Sequence, residues 1–367
     1  MKKILFLTNY PAPYRVQFFS KLGESCKLTV LFEEKAEEQL HRNQQWFNNQ
    51  FDNFEAVFLR KIKVSNKVVS FEIFTWLKKE YDYIILGGYS TLTAQLAIEY
   101  LNIKRKRFYI EIDGGYHKNG TGIIEKWKKH LISSADGWFS PSTLSDEYLC
   151  FYGASINRII RYPFSSLSQE DLHNNEIFSV DRKKYKEQLG IEETKMVLTV
   201  GQFIYRKANE VLINAAQYLG KDVGVYIVGG EPPKEYIELR ENLELTNVHF
   251  VGFKDKEKLK EYYSASDVFA MPTREDIWGL VINEAMSFGL PIVSTNRCVA
   301  AVELVEDGKN GFIVMPDDPE QLGDRINYLL CNEDECLKMG QKSLELIKDY
   351  TIENMVKTHA TYFDVAQ

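Results

Sequence analysis

Pro272-Thr273-Arg274-Glu275-Asp276-Ile277-Trp278-Gly279-Leu280-Val281-Ile282-Asn283-Glu284-Ala285-Met286 is the stretch on which the reading of this chain turns. Ahead of it, the apolar run Val268-Phe269-Ala270-Met271 predicts a strand ended by Pro272. Behind it, Leu280 to Phe288 predicts a helix stopped by Gly289 and Pro291. A strand, a polar loop and a helix start thus follow one another directly. The first turn of a helix has unpaired N–H groups and a partial positive charge, so Gly279 and Leu280 can bring bare amides against a phosphate. Glu284, about one turn inside the helix, can accept hydrogen bonds from a ribose diol while Asp276 faces a sugar. The arrangement suits a phosphorylated sugar.

A second segment, Val200-Gly201-Gln202-Phe203-Ile204-Tyr205-Arg206-Lys207, ends another strand candidate. It sets two cations at the start of a predicted helix, Ala208 to Tyr218, where positive charge opposes the helix dipole. Arg206 and Lys207 are either ordinary helix-start residues or cations placed there to meet an anion.

With these two segments the chain resembles the retaining, nucleotide-sugar-dependent glycosyltransferases of family 4, of the type used in bacterial polysaccharide biosynthesis. The signature of that family is a pair of glutamates separated by seven residues. Here seven residues separate Asp276 from Glu284, so an aspartate holds the first position and Glu275 stands one residue out of register. Lys207 fills the family's diphosphate-binding lysine position, Gln202 stands where arginine is usual, and Arg206 is the replacement cation. The continuations Ala285 to Val293, Glu303 to Val305 and Asp307 to Val314 also match, and the resemblance covers residues 195 to 330.

What the resemblance implies is an α/β protein of GT-B fold, with two Rossmann-like doubly wound parallel-sheet domains facing a central crevice. The implied reaction moves a hexose-type sugar, with retention, from a nucleoside diphosphate sugar to a glycan or lipid-linked acceptor in cell-surface polysaccharide biosynthesis, capsule or exopolysaccharide. A UDP-sugar is the expected donor. No cofactor is required, and no metal is expected, because no Asp-x-Asp segment closes a predicted strand and cations supply the charge that Mg²⁺ would give. Two other readings are a GT-B sugar-nucleotide epimerase using the same donor pocket, and a non-catalytic partner of a polysaccharide assembly complex.

The whole chain sets the bounds. Its 367 residues, 44% hydrophobic and 26% charged, fit two globular domains of ordinary size. No apolar stretch reaches the roughly 18 residues of a spanning helix, and Met1 to Asn9 turns polar too early for a signal peptide, reading instead as a buried strand. Five cysteines without a Cys-x-x-Cys pair point to a reducing cytoplasm and away from disulfides or zinc. The net charge of −7 argues against a general nucleic-acid binder, yet residues 1–165 hold 23 Lys and Arg against 17 Asp and Glu, +6, leaving −13 elsewhere. The basic clusters Lys104-Arg105-Lys106-Arg107 and Lys126-Trp127-Lys128-Lys129-His130 fit either a solvated face or an anionic membrane surface. The expected location is the cytoplasm, with contact at the inner face of the membrane.

Short apolar runs alternate with helical patterns along the chain, as in parallel sheets covered on both faces. Strands are expected at Ile4–Thr8, Leu28–Phe32, Ala56–Leu59, Tyr83–Leu86, Phe108–Ile112, Gly137–Ser140 and Ile159–Tyr162, with helices at Thr91–Leu101 and Ile123–Ser133. The second half offers strands at Val197–Val200, Val223–Val228, Val248–Val251, Val268–Met271, Ile292–Ser294 and Phe312–Val314. The expected organisation is an N-terminal acceptor-side domain, 1–165, a polar linker, 166–178, and a nucleotide-sugar domain, 179–345. A last helix, 346–367, crosses back to the first domain as the resemblance implies.

Gly201, Gln202, Glu275, Ile277, Gly279 and Leu280 are candidate donor contacts beside Arg206, Lys207, Asp276 and Glu284. Gly229 follows a buried strand and makes either a tight turn or a nucleotide contact. Phe253 and Lys254 follow another strand, where in the family backbone groups meet the base. Trp278 is either packing or donor contact. On the N-terminal side, the loops after the first strand (Asn9, Tyr14, Arg15) and after Phe108–Ile112 (Asp113, Gly114, Gly115, His117) are the acceptor-side candidates. Asp113 is a ligand group or a turn aspartate. His117 is a general base or a loop histidine.

Overall fold

The computed structural model describes residues 1–35, 50–64, 67–116, 120, 122–172 and 181–365. The chain divides into two compact units, Met1–Ser165 with Ile352–Gln367, and Ser166–Thr351. His117 and residues 173–178 of the expected linker lie outside the described residues.

The first unit is built on seven parallel strands: β1 (Lys3–Thr8), β2 (Lys27–Phe32), β3 (Glu55–Phe58), β6 (Tyr83–Leu86), β7 (Tyr109–Glu111), β8 (Gly137–Ser140) and β9 (Ile159–Arg161). Their order is β3-β2-β1-β6-β7-β8-β9. The chain winds outward from β1 through β2 and β3, then restarts on the other side of β1 with β6. The carboxyl ends of β1 and β6 therefore form a topological switch point, the place where open α/β sheets take ligands. Ile4, Leu5, Phe6 and Leu7 are all buried, as a parallel strand covered on both faces requires. Helix Leu92–Lys104 starts where the Thr91 side chain accepts from the Ala94 amide at 3.1 Å, and it ends at Arg105 in the left-handed region. Among the strands, the antiparallel pair β4 (Ile62–Val64) and β5 (Lys67–Val69) has no counterpart in the sequence reading. Three-residue strands interleaved with lysines carry no readable period.

The second unit repeats the plan with β10 (Lys195–Val200), β11 (Val223–Val228), β12 (Val248–Val251), β13 (Val268–Met271), β14 (Ile292–Thr295) and β15 (Gly311–Val314), all parallel. The order β12-β11-β10-β13-β14-β15 puts its switch point between β10 and β13. Those are the strands that lead into the two segments singled out above. The expected α/β architecture of two doubly wound parallel sheets is what the chain adopts.

Side-chain hydrogen bonds tie the elements of this unit together. Asp267, just before β13, accepts from the Met196 amide at 2.8 Å and from Lys186 Nζ at 2.8 Å, tying helix Arg182–Leu189 to β10 and β13. Helices Lys256–Ala265 and Pro319–Cys331 are capped by Asp255 and Asp318, each accepting from the amide three residues on. All five cysteines are free thiols, and no helix among the described residues is long and apolar enough to cross a membrane.

Candidate functional site

In the second unit the chain leaves β10 at Val200 and runs through Gly201 and Gln202 into a 3-10 turn, Tyr205–Lys207, before helix Asn209–Ala215 begins. The loop leaving β13 lies against this turn. The Arg206 carbonyl accepts from Thr273 Oγ1 at 2.6 Å and from the Arg274 amide at 2.8 Å. Arg274 completes the join: its guanidinium donates to the Tyr205 carbonyl at 2.7 Å, lies 4.3 Å from the Tyr205 ring centre, and pairs with Glu210 and with Asp317 at 2.7 Å. A guanidinium satisfied on so many sides acts as a clamp between two loops.

The clamp brings the cations to the acid. Lys207 Nζ pairs with Asp276 Oδ2, both side chains nearly buried, and Arg206 reaches the same oxygen at 3.4 Å from a half-exposed position. Lys207 crosses the face of Gly201, where a Cβ would sit 3.6 Å from its Cδ. Asp276 is fixed by its own backbone, donating to the Arg297 carbonyl at 2.9 Å and accepting from the Val299 amide at 3.1 Å. The acid in register is therefore the one beside the two cations. Glu275 offers its carbonyl to Arg206 at 3.3 Å.

Gly279 then turns the chain into helix Leu280–Ser287 with φ 106°. A Cβ there would stand 2.7 Å from Cys298 Sγ, so both conformation and space require glycine. No side chain caps this helix start, which leaves first-turn amides for a ligand. Further along, the Glu284 carboxylate accepts from Tyr263 Oη at 2.9 Å and Ser166 Oγ at 3.3 Å. Burial pushes it above the usual carboxylate range.

In the first unit the loop after β1 and the end of β7 meet through charge. Arg15, buried in helix Pro13–Gly23, pairs with Glu111 and with Asp113. Glu111 also accepts from His359 Nε2 at 2.8 Å, and His359 Nδ1 faces the Met355 carbonyl at 2.8 Å. Tyr14 packs edge-on against Phe164.

These geometries can be set beside known proteins. Residues 181–345 match the family model Glycosyl transferases group 1. This segment is similar to group 1 glycosyl transferases. An uncharacterized glycosyltransferase of Haemophilus influenzae is 30% identical over 200 residues, 52% of this chain and 56% of that protein. A D-inositol 3-phosphate glycosyltransferase of Corynebacterium urealyticum is 33% identical over 182 residues, 46% of this chain and 43% of that protein. The chain thus spans about half the length of the curated relatives it matches. The HepE protein of Anabaena, solved in complex with UDP, aligns over 99% of this chain and 100% of its own with TM-score 0.79 at 18% identity. A further structure of HepE holds UDP-glucose, with TM-score 0.73 and 18% identity over 100% of both chains. That likeness shows the fold, GT-B.

Within the second unit the structure bears on several candidates. Trp278 is buried and its indole N–H donates to Asn283 Oδ1 at 2.9 Å, so the side chain is packing and not a donor contact. Gly229 is glycine because a Cβ would fall 1.8 Å from the Gly201 carbonyl oxygen, a close approach of two loops. Ile277 and Phe253 are both exposed. In the first unit Arg15 is also corrected. It is 5% exposed and engaged by two carboxylates, a buried strut where the sequence suggested a loop residue. Arg274, not singled out in the sequence reading, joins the two site loops of the second unit. Its only signal in the sequence was its place directly before the acids.

Proposed function

We propose that this chain is a retaining glycosyltransferase that moves a hexose-type unit from a nucleoside diphosphate sugar, a UDP-sugar first among them, to a hydroxyl of a glycan or lipid-linked acceptor in cell-surface polysaccharide assembly. The observation that carries the reading is the convergence of Arg206, Lys207, Asp276 and the uncapped helix start at Gly279 on one switch point. As the glycosidic bond breaks, the leaving diphosphate gains negative charge. Cations and amides already aimed at that position hold it more tightly in the transition state than before. Lys207 and Arg206 take the diphosphate, Gly279 and Leu280 lend their amides, Glu284 accepts from the ribose, and Asp276 keeps Lys207 in place while facing the sugar. Asp113, held by Arg15, is assigned to the acceptor side. The complexes of HepE with UDP and UDP-glucose support the donor class.

A panel of nucleotide sugars tests this by thermal shift. At least one should raise the melting temperature of the parent and do so far less in Glu284→Ala, with donor turnover requiring acceptor and unaffected by a chelator. Absence of a shift from any nucleotide sugar, or complete loss of turnover on chelation, would contradict the reading.

The proposal includes contact with the inner face of an anionic membrane through helix Ile123–Ser133. Ile123 is 86% and Ile124 71% exposed at its start, and Lys126 and Lys129 are exposed beside them. Two basic members of the cluster are already paired, Lys128 with Glu125 at 3.0 Å and His130 with Glu99 at 2.7 Å. Binding to vesicles should rise with the fraction of anionic lipid and fall in Lys126→Glu/Lys129→Glu, each basic residue contributing about 1 kcal/mol. Equal binding to neutral and anionic vesicles would remove the membrane from the account.

A further inference from the structure

The first unit holds a cavity of ≈ 460 Å³ that none of the residues assigned above explains, apart from Asn9 on its rim. It lies at the switch point of that sheet, walled by Asn9 and Tyr10 after β1, Glu33 and Glu34 after β2, and Thr91 and Thr93 at the start of helix Leu92–Lys104. Its size falls within the roughly 300–1,000 Å³ of small-molecule sites.

The hydrogen bonding of its wall is specific. Glu33 accepts from Thr91 Oγ1 at 2.7 Å and from the Thr93 hydroxyl. The same two threonine oxygens accept in turn from the amides of Ala94 and Ser70, both at 3.1 Å. Both hydroxyl protons are thereby committed, and the Glu33 carboxylate is fixed with lone pairs still to offer. Ser70, also on the wall, is 2% exposed, yet its Oγ has no hydrogen-bond partner among the described residues. A buried hydroxyl without a partner is costly, and a ligand hydroxyl that pairs with it removes the cost. Charge narrows the class of ligand. Among the described residues the charged groups on the cavity wall are Glu33, Glu34 and Lys61, the last two 3.9 Å apart, and they sum to −1. A phosphate or carboxylate would meet net repulsion, whereas an uncharged ring bearing several hydroxyls can donate to Glu33 and pair with Ser70.

We propose that this cavity binds an uncharged pyranose unit of the acceptor, with Glu33 and Ser70 as its hydrogen-bonding residues. The proposal rests on the transfer reading and adds that the acceptor is recognised here by a neutral sugar and not by a phosphate. Saturation-transfer NMR with methyl α-D-glucopyranoside, methyl β-D-galactopyranoside and methyl N-acetyl-β-D-glucosaminide, beside glucose 1-phosphate and glucuronate, tests it without any donor. At least one neutral glycoside should give a signal on the parent, stronger than either anionic sugar. That signal should fall severalfold in Glu33→Gln and in Ser70→Ala. Ser70→Ala, which removes a hydroxyl without a partner, should keep or raise the melting temperature, so loss of binding there is not loss of fold. Three outcomes overturn the proposal: no neutral glycoside binds, an anionic sugar binds better, or binding is unchanged in both variants. If nucleotide sugars still raise the parent's melting temperature in any of these cases, the transfer reading stands and the cavity assignment alone falls.

Discussion

Lys207→Ala should lower the rate of sugar transfer by about 10²–10³-fold, the usual loss when one aimed donor is taken from a developing negative charge. Lys207 is nearly buried, lies over Gly201 and is paired to Asp276, so its ammonium is already in position before any substrate arrives. Little reorganisation is left for the reaction step. Arg206, half exposed and 3.4 Å from the same carboxylate, works in a more screened place, and Arg206→Ala should cost less. Asp276→Asn removes the group that aims Lys207 and should lower kcat clearly, whereas Glu275→Gln should have the smaller effect. Steady-state kinetics separates these roles. A Lys207→Ala enzyme with unchanged kcat and only a raised KM would mean that the lysine binds ground state and transition state alike, against the assigned role.

Glu111→Ala should destabilise the first unit by about 3–5 kcal/mol, the range for breaking a buried ion pair by deleting one partner. Glu111 is 1% exposed and holds both Arg15 and His359. His359 is fully buried, stacked on Phe139 at 4.4 Å and 8°, with Phe18 and Tyr162 around it. Without the carboxylate, the buried imidazole loses its partner at Nε2 and the guanidinium keeps only Asp113. Burial pushes the Glu111 carboxyl up, but Arg15 and then His359 outweigh it and hold it at about 2. A folded-state value below the unfolded one contributes stability that is full at neutral pH and fades as pH falls from the ordinary value of 4.5 towards about 2. Urea unfolding at pH 7 should show the full loss in Glu111→Ala, and at pH 3 the gap to the parent should narrow. An equal gap at both pH values would place the cost elsewhere.

How much of this was legible in the sequence follows from how local each feature is. The β13 strand, the loop and the helix after it were readable because Val268 to Met271, Pro272 and Gly289 are punctuation close to the elements they bound. That both sheets are parallel and covered on both faces followed from alternating short runs, whereas their strand order did not. Contacts between distant segments left no such mark. His359 and Glu111 are 248 residues apart, and each alone reads as an ordinary polar residue. Arg15 read as a loop-facing cation, and only its burial between two carboxylates shows it as a strut. Trp278 stood open between packing and contact until its indole N–H was found on Asn283. The cavity at Glu33 and Ser70 was invisible for the same reason, since it is assembled from β2, β5 and a helix start that are separate in the chain.

Calorimetric titration of UDP against uridine, on the parent and on Lys207→Ala, tests the central claim most directly, because the two ligands differ only in the diphosphate. UDP should bind the parent about 10- to 100-fold more tightly than uridine, the worth of a charge-assisted hydrogen bond, and most of that advantage should vanish in Lys207→Ala. Equal affinity for UDP and uridine on the parent, or an advantage that survives in Lys207→Ala, would contradict the account.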